Sequence, residues 1–162
     1  MGQHAHNTHA NATGTVAALD RLMRGVVSVG LDVVDVRDVE TSIAHFGERY
    51  LSRVFTPSEI AYATSASNPS TMARRLGARF AAKEATLKAL CASDCGISPR
   101  SIEVVRRNDG STELTLSGPA FAAAHAAGAP SLALTMTHEG YLAAAVVIAH
   151  TPMRRSRIWR KQ

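Results

Sequence analysis

The chain has 162 residues and a formal net charge of +5, with 46% hydrophobic residues but only 5% aromatic ones. That length carries one domain with a substantial core, and the hydrophobic share excludes disorder of the whole chain. No run approaches the roughly 20 apolar residues of a membrane helix, and the N-terminus lacks the basic start and apolar stretch of a secretory signal.

The expected organisation is a flexible leader over residues 1–24, one domain over 25–151 and a basic tail over 152–162. His4, His6 and His9 sit in low-complexity sequence without carboxylates or cysteines, which reads as a floppy end rather than a metal site. The tail, MRRSRIWRKQ, reads as a solvated end rather than a nucleic-acid contact. Cys91 and Cys95 fall at an expected helix end, too close in sequence for a good disulfide, and read as reduced thiols of a cytoplasmic protein.

VVSVGLDVVDV (26–36) is β-branched and predicts a strand that stops at RDVE. VETSIAHFGERYLSRVF (39–55) spaces Ile43, Phe46, Tyr50, Leu51 and Val54 as one helix. In TPSEIAYAT, Thr56 is an N-cap, Pro57 suits the first helical position and Glu59 completes a capping box. After the loop SASNPS a long helix is expected from about Thr71 to Leu90, stopped by Gly96 and Pro99. SIEVVRR and STELTLSG then flank NDG as a hairpin. GPAFAAAHAAGAP predicts a short alanine helix, and SLALTMTH and YLAAAVVIAH a second hairpin across Glu139-Gly140. The fold class that follows is α+β, a mainly antiparallel sheet with one long helix packed on it.

Three placements in this order are poor choices for packing alone. On the long helix Met72, Ala73, Leu76, Phe80, Leu87, Leu90 and Cys91 form one apolar stripe. Lys83 falls near its centre, Glu84 lies at its edge, and Lys88 sits one turn along from Glu84. Taken alone these charges could be a Glu84–Lys88 surface pair, with Lys83 reaching to water. On the first strand Asp32 shares a face with Ser28 and Gly30, although strands disfavour acids and burying one costs free energy unless a positive group meets it. Asp32 and Glu84 together could serve glycoside-type acid/base chemistry or hold a hard divalent ion. Mg2+ favours one or two carboxylates plus substrate phosphates, and the lysines would suit those phosphates. In TMTHEG, Thr135, Thr137 and His138 end a strand at a tight turn, where hydroxyls and main-chain N–H groups could hold a phosphate oxygen. No Walker glycine loop or kinase loop set is present.

These features, in this order, resemble the holo-acyl-carrier-protein synthase family of small phosphopantetheinyl transferases, from about Val27 to about His150. VGLDVVDV is similar to the family's opening strand, with Asp32 on its first magnesium acid. RYLSRVFTPSEIAYA resembles the R-x-F-T-x-x-E segment. RFAAKEATLKA matches the W/F-x-x-KE-A/S-x-x-K signature, with Glu84 on the second magnesium acid and Lys88 on the signature lysine. Thr137-His138 stand in place of the usual Ser-His. Asp38 stands where a basic residue is common, and Gly110-Ser111-Thr112 replace a Gly-Lys-Pro turn.

The resemblance implies Mg2+-dependent transfer of the 4'-phosphopantetheine arm of coenzyme A to a serine of an apo acyl or peptidyl carrier protein, releasing adenosine 3',5'-bisphosphate. It makes Asp32 and Glu84 the metal ligands, Glu84, Lys88 and Asp32 the catalytic set, and Lys83, Lys88, Thr137 and His138 the coenzyme contacts. It also implies a homotrimer whose site is completed at a subunit interface, the neighbour supplying Thr137 and His138. Carrier proteins are acidic, and Arg49 and Arg53 would dock one. The alternative is an inactive relative serving as a basic module for an acidic partner or nucleic acid.

Overall fold

The computed structural model describes residues 25–151. The leader with its three histidines and the basic tail lie outside the described residues. Strand β1 (Val26–Asp35) leads into helices α1 (Val36–Phe46), α2 (Glu48–Val54), α3 (Pro57–Thr64) and the 21-residue α4 (Pro69–Ala89). A 3-10 turn (Pro99–Ser101) precedes the hairpin β2 (Ile102–Arg106) and β3 (Thr112–Leu116). Helix α5 (Gly118–Ala126) and the hairpin β4 (Ser131–Glu139) and β5 (Leu142–His150) complete the order.

The strands form two antiparallel sheets, β1-β5-β4 and β2-β3. The larger one brings both ends of the domain together: Asp32 faces Ala145 on β5, which in turn faces Met136 on β4. Helix α4 packs on one side of this sheet. Its contact is built from small side chains, Ala81, Ala82, Ala85 and Ala89 against Ala145, Val147 and Ala149. The alanine-rich composition thus becomes a helix lying very close to a sheet, where dispersion contacts gain from the short distance. Gly30 sets the limit of that approach. A Cβ there would stand 1.9 Å from the Ala85 carbonyl oxygen, so no other residue fits. A second core gathers Val39, Leu51, Val54, Phe55, Ala63 and Leu76 between α4 and the first three helices.

Several expectations hold in detail. Thr56 caps α3, its side chain accepting from the Glu59 N–H while Glu59 accepts from the Thr56 N–H. Both hairpins form, and the long helix spans Pro69–Ala89 behind the N-cap Asn68.

The region after β1 differs from its reading. The strand stops just before RDVE, as expected, but RDVE itself falls in the first turn of α1, because Asp35 caps the helix by accepting from the Arg37 N–H at 2.9 Å. The single helix expected over 39–55 is two helices broken at Gly47, whose φ of 51° and ψ of −132° no helix continues through. Phe46, expected in the apolar stripe of that helix, is consequently exposed. Cys91 also leaves its expected stripe: α4 ends at Ala89, Cys91 turns to a φ of 52°, and both free cysteines face solvent. None of the described helices is long and apolar enough to cross a membrane.

Candidate active site

Asp32 reaches its position by strand alternation. Ser28, Gly30 and Asp32 all point toward α4, where the Ser28 hydroxyl donates to the Ala89 carbonyl and Gly30 lies against Ala85. The same close approach carries Asp32 to the C-terminal third of the helix. There Lys88 Nζ donates to Asp32 Oδ1 at 2.7 Å and to the Leu31 carbonyl at 3.2 Å. Lys88 therefore pairs across the fold with the strand, not along its own helix with Glu84.

Glu84 lines the same cleft as Asp32, together with Asp38, Ser42, Tyr50 and Phe80, in a hollow of about 520 Å³. Partial burial pushes the Glu84 carboxyl above its ordinary range, the Asp32 charge adds to this, and Lys88 works against it. Two acids thus share one hollow at the edge of an apolar helix, with the Lys88 ammonium on Asp32. Their hard oxygen donors, and the mutual repulsion a cation would relieve, fit a divalent ion that takes its remaining ligands from water and substrate. Among the described residues no cluster of three or more His, Cys, Asp or Glu side chains could hold a metal by protein ligands alone.

Lys83 is a correction. It was expected to reach a coenzyme phosphate, but its side chain is completely buried on the other side of α4. Its ammonium pairs with Glu59 Oε2 at 2.9 Å and donates to the Pro99 carbonyl at 2.9 Å and to the Ile102 carbonyl. All three donors are satisfied, so nothing is left for a ligand. Glu59 in turn accepts from the Val104 N–H at 2.9 Å while keeping its capping role. The sequence marks Glu59 only as a cap; the signal for its place in this network is a lysine on an apolar stripe, which demands a buried acid.

Thr137 and His138 lie at the far end of β4, both exposed. Thr137 stands opposite Ala144, which faces Val33, one row from Asp32. Alternation turns that row away from α4, so within one chain Thr137 and the Asp32 cleft occupy opposite faces of the sheet. The fold unites Asp32, Glu84 and Lys88 and turns Thr137 away from them, while His138, opposite Ala143 and in the row of Val34, falls on the α4 side of the sheet. One straight helix over 39–55 gives no reason to bring Ser42 and Tyr50 to the cleft, and Phe80 reads only as part of the apolar stripe of α4.

The outer sheet face is unusual. Val29, Leu31 and Val33 are 58%, 56% and 56% exposed, and Ile148 beside Val29 continues the same apolar surface.

Residues 28–146 match the family profile of the 4'-phosphopantetheinyl transferase superfamily. The chain is 39% identical over 128 residues to a holo-[acyl-carrier-protein] synthase of Solidesulfovibrio magneticus, covering 78% of this chain and 98% of that one. Among solved structures it resembles the acyl carrier protein synthase of Mycobacterium tuberculosis, at 36% identity with a TM-score of 0.56, covering 79% of this chain and all of that one. It also resembles the Helicobacter pylori holo-[acyl-carrier-protein] synthase in complex with coenzyme A, at 26% identity with a TM-score of 0.63, covering 75% and 98%. The matched span contains Asp32, Glu84 and Lys88, and the chain belongs to the holo-[acyl-carrier-protein] synthase family of the 4'-phosphopantetheinyl transferase superfamily.

Proposed function

We propose that the Asp32–Glu84–Lys88 cleft carries out this family's reaction, transfer of the 4'-phosphopantetheine arm of coenzyme A to a serine hydroxyl of an apo acyl carrier protein. The observation that carries the reading is the meeting of Asp32 with Lys88 at 2.7 Å in a cleft that Glu84 also lines. The serine oxygen bonds to the phosphorus next to pantetheine, and the bond to the bridging oxygen of adenosine 3',5'-bisphosphate breaks. The hydroxyl proton passes to Glu84 or to a water it orients.

Asp32 and Glu84 are the residues that would hold Mg2+, which when bound supplies charge neutralisation for the diphosphate. Lys88 is free to turn from Asp32 to a phosphate oxygen once the acid has another cation, since its side chain is half exposed. Thr137 and His138 reach the cleft from a neighbouring copy in a homotrimer. The apolar outer face of β1 and β5 supports such an assembly, because an exposed stripe of valine, leucine and isoleucine is a surface that association would cover. The acidic carrier meets the basic face around Arg49 and Arg53, both exposed on α2. Two exposed free thiols suit the cytoplasm.

The test is direct. Purified protein, Mg2+, coenzyme A and an apo carrier should give the carrier a mass increase of one phosphopantetheine arm. Glu84→Ala should abolish this while remaining folded by circular dichroism. An unchanged rate in that variant would remove Glu84 from the reaction, and no transfer by the wild-type chain to any acyl or peptidyl carrier would sink the reading.

A further inference from the structure

Around α4, away from the catalytic cleft, three guanidinium groups converge on one aromatic ring. The Cζ atoms of Arg79, Arg75 and Arg106 stand 4.3, 4.6 and 5.6 Å from the centre of the Tyr62 ring. Arg75 and Arg79 come from α4, Tyr62 from α3 and Arg106 from the end of β2. At about 100° per residue, Arg79 lies about 140° and Arg75 about 180° around the helix from Glu84. The cluster therefore does not share the face that holds the two acids.

Such a concentration of positive charge normally has carboxylates in it, and this one has none to spare. Among the described residues neither Arg75, Arg79 nor Arg106 makes an ion pair. Glu59, the carboxylate that acts on Arg79, is paired with Lys83, and on the nearby hairpin Glu113 is paired with Arg107. Arg79 is the sharpest case. It is only 3% exposed, its one hydrogen bond runs from Nη1 to the Arg75 carbonyl at 3.0 Å, and its buried Nε has no partner. A buried guanidinium left to share the Glu59 counter-charge with Lys83 costs free energy. The stacking on Tyr62 offsets part of that cost, but the ring is shared with two like charges. Burial, with Arg75 and Arg106 adding to it against the pull of Glu59 and Tyr62, depresses the tendency of Arg79 to hold its charge.

Arg75 fixes the rim of the cluster. Its Nη1 donates to the Tyr62 carbonyl at 2.8 Å and to the Ser65 hydroxyl at 3.0 Å, tying the last turn of α3 to α4. Arg106 is exposed on the other rim, with Nη2 near Gly110 of the hairpin turn. The arrangement is a fixed arginine, a buried arginine beneath and a free arginine able to close from outside. We propose that Arg75, Arg79 and Arg106, gathered on Tyr62, form a binding site for a phosphate-class oxyanion, separate from the catalytic cleft. Planar forks of N–H donors suit tetrahedral oxyanions better than point-charge lysines do, and a doubly charged anion supplies a counter-charge that no ion pair among the described residues gives these arginines.

The experiment is a thermal-unfolding titration of the full chain, metal-free, with inorganic phosphate at constant ionic strength kept by sodium chloride. A second arm uses 3'-AMP, which separates a free phosphate from a phosphomonoester as the natural occupant. Wild type should show a saturable rise in Tm in at least one arm. Arg106→Ala, a surface change that leaves the core intact, should weaken the apparent affinity at least about tenfold. Lys88→Ala, in the catalytic cleft, should leave that affinity within about twofold of wild type. No saturable shift in either arm overturns the proposal. So does a shift that survives Arg106→Ala, or one that Lys88→Ala removes, since either places the anion elsewhere. The transferase reading does not depend on the outcome.

Discussion

Lys83 Nζ lies 2.9 Å from Glu59 Oε2, and solvent reaches neither side chain. This pair explains half of the adjacent Lys-Glu dipeptide in α4. One turn of helix divides two neighbouring charges between two tasks: Lys83 ties α4 to α3, β2 and the 3-10 turn, while Glu84 faces the cleft. Burial holds the Lys83 ammonium below its usual range, with Glu59 opposing that shift.

Removing one member of the pair should be costly. Lys83→Met leaves the Glu59 carboxylate buried without its cation, and urea denaturation should show a loss of about 3–5 kcal/mol. Adding Glu59→Gln in the same chain should recover a large part of that loss. Equal loss in the single and double variants would mean that packing, not charge, holds this junction.

Gly30 links the fold to the site. Gly30→Ala pushes a methyl group into the Ala85 carbonyl and the Ala89 nitrogen. The strand must retreat from α4, with a stability loss of about 3 kcal/mol or more. Because Asp32 follows two residues later, transfer activity in the folded fraction should fall as well. A variant as active and stable as wild type would show that the close approach is dispensable.

The Glu84 carboxyl titrates above its ordinary 4.5 in the folded chain. Its contribution to stability is therefore complete below that ordinary value and is lost as pH rises through the folded one. In metal-free protein the pH-dependent decline should be smaller in Glu84→Gln, as read by Tm against pH. Mg2+ binds the deprotonated acids, so its stabilising effect should grow over the same rise in pH.

Asp38 lines the cleft beside both acids and sits where the family's resemblance leads one to expect a basic residue. Its charge repels an acidic carrier. Asp38→Arg should raise kcat/KM for such a carrier a few-fold at low ionic strength, with the difference shrinking as salt is added. No change at low salt would place the carrier's path away from α1.

Leu31 projects from the outer face of β1 and is 56% exposed. Leu31→Arg should leave the monomer folded, since the side chain contributes little to its core. It should also shift sedimentation from trimer to monomer and abolish transfer, because Thr137 and His138 would no longer meet a neighbour's cleft. A monomeric wild type, or an active monomeric variant, would refute the assembly.

Much of this chain was legible locally. The Thr56–Glu59 capping box, both hairpin turns, the alternation that puts Asp32 beside Gly30 and the offset that puts Lys88 one turn beyond Glu84 all depend on neighbours within a few residues. Short-range geometry decides such features, so residue order alone carries them. The acids of the cleft could be named for that reason. Its wall could not, because the break at Gly47 redirects α2 and brings Tyr50 in beside Ser42 and Asp38.

Partnership across the chain was a different matter. Nothing in the order of residues says that Lys83 meets Glu59, that Lys88 turns from Glu84 to Asp32, or that Thr137 and Asp32 face opposite ways. Those outcomes depend on β1 pairing with β5 from the other end of the domain, and on α4 then settling against Gly30. Contacts so distant along the chain are chosen by the whole packing, through burial and pairing of charge, which is why a lysine that looked ready for a ligand ended as a strut of the core.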